Sequence, residues 1–413
     1  AFCRYHSTVS SENAFSSSAM ASRMGIVCIA LALASTLPTA EGAKRFRLRA
    51  HHVGHSPREP IHPLSVPNEH TQIHMLISAF QDGDRCANTI QRALNKARYP
   101  DRLSFNVLQA IGPGDIICLE EFKSKLLPKL CSGRSKDCEA TTLARIHVWT
   151  IPLEEAKGPV HQRGLLSERA ILPGQDSMCL STDSHMSFVD AWDDLLIQDW
   201  TSTNNEFAVL TAYPLATSNA NFAGTKAHIN LCGYFLEDDL PRGVTATTLL
   251  NQGKQPKPTL TMNWAAGQSF SRCHAEKNVP VDKELRWIFT GEEVDRAVRL
   301  WTHGYDLYNP SINAVLHNYT KPNQHWDYYS DVRDAEEDLS GTRIRALLTG
   351  QKVIGGFGTF GLGNQRTLEE YVTWSHTNLG GNWDEYLKLH KLTPNIPDGA
   401  SDPDTNPKFC ESL

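Results

Sequence analysis

Leu180-Ser181-Thr182-Asp183-Ser184-His185-Met186-Ser187-Phe188-Val189 runs from an apolar approach into an Asp-x-His pair and back to apolar residues. On an extended backbone, side chains two apart share a face, so Asp183 and His185 present a carboxylate oxygen and an imidazole nitrogen to one point. That donor pair suits Mn²⁺ or a similar divalent cation better than Ca²⁺, which is bound by oxygens alone. The competing reading is a strand end with a turn, because a chain of this composition carries an Asp-x-His by accident about half the time. The surroundings decide between them.

Upstream, Ile73-His74-Met75-Leu76-Ile77-Ser78-Ala79-Phe80 reads as a first buried strand. After the turn Asp82-Gly83-Asp84, apolar residues at Cys86, Ile90, Ala93, Leu94 and Ala97 have helical spacing. Asp82 or Asp84 is the natural N-cap there, which favours capping over metal binding. Phe105–Gln109 and Arg145–Ile151 are further strands, and Ala156-Lys157-Gly158-Pro159 opens a helix carrying Arg163. Downstream, a helix starting near Asp190 buries Trp192, Leu195, Leu196 and Trp200, and Phe207–Leu210 follows as a strand. Strands alternating with helices predict an α/β fold, a mostly parallel central sheet with helices on both faces. Ligands of such sheets bind beyond the carboxyl ends of strands, where Asp183 and His185 fall.

The 413 residues are two-fifths hydrophobic, enough for a sizeable core. A formal charge of −6 argues against a nucleic-acid-binding surface. No apolar run reaches the length of a spanning helix. Arg23 followed by Met24–Ala34, with small residues at Ala40-Glu41-Gly42, reads as a secretory signal peptide. An artefactual leader would instead leave the protein cytoplasmic. Without that leader, eight of the ten cysteines remain, an even number compatible with disulfides. Cys131 and Cys138, in a polar loop, are the best candidate pair.

From Ser181 to Leu196, together with Glu206–Pro214, the chain resembles the polypeptide α-N-acetylglucosaminyltransferase family. Further similarity lies in Ser78–Asp82, Ala156–Pro159 with Arg163, Asn263–Gly267, Phe289–Glu293, Arg299–Asp306, Gly361–Gly363 and Arg366–Tyr371. It covers roughly residues 72 to 375 in order. The resemblance implies a GT-A type fold, a UDP-sugar donor, a divalent metal such as Mn²⁺ and a retaining transfer. It implies N-acetylglucosamine moved from UDP-GlcNAc to a hydroxyl of a protein or peptide acceptor, Ser/Thr or hydroxyproline, in the secretory pathway. The alternatives are a transferase or hydrolase of another UDP-sugar, or a silent relative that only binds a nucleotide sugar or glycan. Gln268 departs from the family, which has an aromatic there. The expected organisation is a leader over 1–42, a linker over 43–70, a catalytic domain over 71–395 and a flexible tail over 396–413.

For the metal, His317 joins Asp183 and His185 because an apolar strand ends at it and the resemblance places a metal histidine there; His303 and His325 are rivals. Asn318-Tyr319-Thr320 is a glycosylation sequon, expected to stay unused if His317 binds metal. Glu292 and Glu293 open a helix, where the dipole favours acids. Their functional reading is as the catalytic carboxylates, positioning hydroxyls and stabilising positive charge on the sugar. Ser78, Ala79 and Phe80 are expected at the nucleotide, and Trp264 with Gly267 at the sugar. Arg163 and Arg366 are candidate donor contacts, Arg366 following the glycine-rich run Gly355–Gly363. Thr367 and Glu370 fit a capping box.

Overall fold

The computed structural model describes residues 65–174, 176–218, 230–237, 239–246, 257–320 and 330–392. All lie in one compact unit, Ser56–Leu413. The leader, most of the linker, the tail and His325 lie outside the described residues.

The strands in chain order are β1 (Ile73–Phe80), β2 (Leu103–Ile111), β3 (Ile146–Pro152), β4 (Met178–Asp183), β5 (Met186–Phe188), β6 (Ala208–Ala212), β7 (Leu215–Ala216), β8 (Asn230–Glu237), β9 (Leu240–Ala246), β10 (Thr259–Thr261), β11 (Gln268–Arg272), β12 (Asp306–Asn309) and β13 (Val315–His317). Eight of them form the central sheet in the order β10-β12-β6-β11-β4-β1-β2-β3. β4, β1, β2 and β3 run parallel, as β6 and β12 do. β11 inserts antiparallel to both β4 and β6, and β10 is antiparallel on β12. The sheet is therefore mixed with a parallel majority.

Alternation along β1 shows why both faces are covered. Met75 and Ile77 join Phe105, Val107 and the Gly83–Lys96 helix residues Cys86, Ile90 and Leu94 in one core. Leu76, between them, joins Leu108 and Leu166 of the Pro159–Arg169 helix in another. The helix foreseen from Asp190 spans Trp192–Thr201 and buries Trp192, Leu196 and Trp200 completely, while Leu195 is half-buried. Each such large apolar side chain contributes about 1.5–3 kcal/mol on burial. The Thr367–Glu370 capping box is present, its two reciprocal bonds starting the Leu368–Ser375 helix.

Three disulfides close among the described residues: Cys86–Cys118, Cys131–Cys138 and Cys179–Cys273. The second is the pair read from the polar loop. Three bridges fit an oxidising, non-cytosolic compartment. No helix of the described residues is long and apolar enough to cross a membrane.

Candidate active site and metal centre

Asp183 ends β4, level with Ser78 of the neighbouring β1. Ala79 points into the core and its carbonyl accepts from Gln162 Nε2 at 2.7 Å, while Ser78 and Phe80 are half-buried at the strand end. Beyond Asp183 the chain turns into β5, the edge of a three-stranded minor sheet ordered β5-β13-β7. Antiparallel pairing sets His317 opposite Met186, so a residue 134 positions from Asp183 arrives beside His185. The two imidazole rings meet edge to face with centroids 4.6 Å apart. His317 Nε2 lies 3.1 Å from Asp183 Oδ2.

One ligand atom from each of Asp183, His185 and His317 lies within 4.8 Å of the other two. One carboxylate and two imidazoles suit a borderline divalent ion such as Mn²⁺, so the residues fit the metal that the sequence implies. Tyr319 packs on the His317 ring at 4.0 Å between centroids, and its hydroxyl donates to the Pro214 carbonyl at 2.8 Å. Asn318, half-buried, donates its backbone N–H to the His185 carbonyl. The sequon is thus built into the edge of the ligand cluster. Of the rivals, His303 sits at the far end of the Glu292–Thr302 helix with Nδ1 on the Arg299 carbonyl.

Arg163 ties this cluster to the acidic helix. Its Nη1 donates to both oxygens of Glu292, at 2.7 and 2.9 Å, and its Nη2 to Asp183 Oδ1 at 2.9 Å. Burial alone would raise the Asp183 pKa. The His317 hydrogen bond and the charges of Arg163, His317 and His185 outweigh it and hold the carboxyl well below the usual carboxylate range. Burial disfavours the charged form of Arg163, but Glu292 and Asp183 overcome it and raise its pKa further. Glu292 goes the other way: burial, helped by Asp183, raises it despite Arg163.

Gly291 makes the approach to these acids possible, because it takes φ +102° immediately before the Glu292–Thr302 helix. Glu293 Oε1 accepts from the Tyr213 hydroxyl, while Gly243 of β9 donates its backbone N–H to the same carboxyl. Burial pushes Glu293 up to about 7, the Glu292 charge adds to it, and Tyr213, the Gly243 N–H and Arg242 oppose it. The fold then holds this proton where the unfolded chain has lost it. Its contribution to stability is full below the ordinary value of 4.5 and is lost as pH rises through about 7. Urea denaturation should show this: Glu293→Gln flattens the fall in stability between about pH 5 and 7.

Gly267 belongs to the same edge. Its carbonyl accepts from Thr182 Oγ1 at 2.7 Å, and a Cβ on it would lie 2.8 Å from Pro214 Cδ and 3.9 Å from Asp183 Oδ2. Trp264 and Arg366, expected at the donor, are both enclosed by neighbours in the fold. Trp264 is 1 % exposed, with its indole N–H on Ser269 Oγ and Arg296 near its ring. Arg366 is taken up by the Trp301 and Tyr305 carbonyls and Asp306, and stacks on Trp301. Those partners lie at the end of the helix opposite Glu292, about 15 Å away. Gln268 is buried, with no partner for its amide nitrogen among the described residues.

Asp82 differs from its sequence reading as a helix cap. It precedes the Gly83–Lys96 helix, but its side chain makes no capping bond. Its carboxylate faces His185 instead.

A family model described as Glycosyltransferase (GlcNAc) matches residues 72–379, a span that contains every residue of this cluster. The chain belongs to this glycosyltransferase family. The mixed α/β sheet with an Asp-x-His at a strand end agrees with the GT-A type fold that the resemblance implies. Among solved structures, the chain is similar to GalNAc-T7 with UDP, GalNAc and Mn²⁺ at 13% identity and a TM-score of 0.43. That match covers 76% of this glycosyltransferase and 59% of the GalNAc-T7 chain, so less than two thirds of that protein is spanned. It is also similar to the mannosyltransferase PcManGT from Pyrobaculum calidifontis in complex with GDP-Man and Mn²⁺, at 10% identity and a TM-score of 0.35, covering 72% of this chain and 81% of that one. No curated protein matches the chain significantly.

Proposed function

We propose that this glycosyltransferase moves N-acetylglucosamine from UDP-GlcNAc to a hydroxyl of a protein acceptor, Ser/Thr or hydroxyproline, with retention, in the secretory pathway. The observation that carries the proposal is the convergence of Asp183, His185 and His317 from two sheets, joined through Arg163 to Glu292. When bound there, a divalent cation supplies charge neutralisation for the departing diphosphate. The bond between the anomeric carbon and the diphosphate oxygen breaks with its electron pair leaving on UDP. The acceptor oxygen bonds to the anomeric carbon, and its proton passes to the leaving diphosphate oxygen. No protein nucleophile is needed for that sequence. Glu292 supports it, because both its oxygens are held by Arg163, which favours a charge-stabilising role over attack on carbon. Glu293, half-buried and paired with Tyr213, takes in this reading the role of bonding a sugar or acceptor hydroxyl.

The test is UDP release by the purified protein with Mn²⁺ and a panel of UDP-sugars, with and without acceptor peptides. UDP-GlcNAc should give the highest release, rising with acceptor. No release above background from any donor would defeat the transferase proposal. Preference for another UDP-sugar would defeat the donor assignment, and acceptor-independent release would point to a hydrolase.

A further inference from the structure

We infer that Asp82 is a positioning residue for the metal centre, fixing the tautomer and the angle of His185, and that Arg85 holds Asp82 in place. The inference rests on the metal assignment of Asp183, His185 and His317 and adds a part that this assignment leaves open: what determines which histidine nitrogen faces the ion.

Asp82 is 5 % exposed, and its carboxylate is bonded by Ser184 and His185 at the site and by Arg85 of the helix that follows it. Its Oδ2 takes the Ser184 hydroxyl at 2.6 Å and lies 2.9 Å from His185 Nδ1. Its Oδ1 takes Arg85 Nε at 2.5 Å. A carboxylate accepts only, so the His185 nitrogen facing it must carry the proton. Nδ1–H then leaves the Nε2 lone pair free, and Nε2 is the nitrogen available to a cation. Metal-binding histidines generally have such a partner, which orients the ring and raises its basicity.

Arg85 extends the arrangement to the other histidine. Its Nη1 donates to the Thr320 carbonyl at 2.7 Å, in the segment that follows His317. Asn318 N–H on the His185 carbonyl closes the circuit. The residues just after β1 thus hold two ligands that belong to chain segments 132 positions apart (317 − 185).

Asp82→Asn is a sharp test. Arg85 only donates, so it takes the amide oxygen and turns the NH₂ toward His185. That NH₂ meets a ring nitrogen which must now accept, so the proton moves to Nε2, the metal-facing atom. Binding of Mn²⁺ to the metal-stripped full chain, followed by electron paramagnetic resonance, should weaken about 10- to 100-fold in Asp82→Asn. Arg85→Met keeps the carboxylate and should cost less. Asp183→Ala should weaken binding more than Asp82→Asn does. Absence of Asp183-dependent binding in the parent protein overturns the metal assignment and this inference with it. Binding by the parent that is unaltered in Asp82→Asn overturns this inference alone. Should Asp82→Asn not fold, long-range ¹H–¹⁵N spectra of the metal-free parent decide: the Nδ1–H form of His185 is expected, and the Nε2–H form overturns the inference.

Discussion

Asp183→Ala is expected to lower Mn²⁺-dependent UDP release by about 10³-fold or more, the rate equivalent of losing several kcal/mol of charge neutralisation at the diphosphate. The size follows from what Asp183 connects. It is the one carboxylate of the ligand cluster, and it also accepts from Arg163. Two imidazoles bring no negative charge to an ion, so the remaining ligands should bind it weakly. The fold should survive, because Arg163 keeps both bonds to Glu292. The thermal midpoint of the metal-free variant is therefore expected close to that of the parent. Glu292 gains from the change, since the Asp183 charge contributes to its raised pKa. Full turnover by Asp183→Ala would remove the site described here.

Arg163→Met should have the largest effect on stability. The guanidinium is 11 % exposed and its two carboxylate partners depend on it. Breaking a buried pair by deleting one member costs about 3–5 kcal/mol, because the other charge is left without a counterion. Two acids now lie about one guanidinium apart, and the net gain of a proton by Glu292 is the cheapest response. Urea denaturation of the metal-free protein should show the loss, and adding Glu292→Gln should recover part of it, giving less than the sum of the single effects. Saturating Mn²⁺ should also narrow the gap, since an ion on Asp183 gives that carboxylate a new counterion in place of the guanidinium. Stability unchanged in Arg163→Met would show that the carboxylates are solvated rather than paired.

The parts of the fold legible in the sequence are those with a local cause. β1 is bounded correctly at Ile73 and Phe80 because a parallel strand buried along most of its length is a largely apolar run ended by a turn. The Thr367–Glu370 box is legible because both partners lie within one turn. The three candidate metal ligands are reached partly through resemblance: spacing supplies Asp183 and His185, while His317 depends on a minor sheet of two- and three-residue strands that no periodicity reveals. For Trp264 and Arg366 the surroundings are not legible in the sequence. A sequence shows that a side chain is aromatic or charged, but Arg366 is met by the Trp301 carbonyl 65 positions away and Trp264 by Arg296 of the same Glu292–Thr302 helix. Asp82 is the converse. Its position before a helix fits a local rule, and the bond it makes is with a residue 103 positions away.

The antiparallel insertion of β11 bears on how the protein is made. β4 already has β1 as a parallel neighbour, but its other edge waits for a strand that begins about 85 residues later, after β6 and the β8–β9 hairpin have been synthesised. Such a late, non-local pairing is slow, and until it forms β4 is an open edge liable to join another chain. Cys179–Cys273 fastens the latecomer across 94 positions, a closure for which loss of the bond costs about 2–5 kcal/mol in a protein that needs it. Production in a reducing host would therefore threaten solubility first and the metal edge second, whereas oxidative export lets the thiols seal the sheet around the strand that carries Asp183.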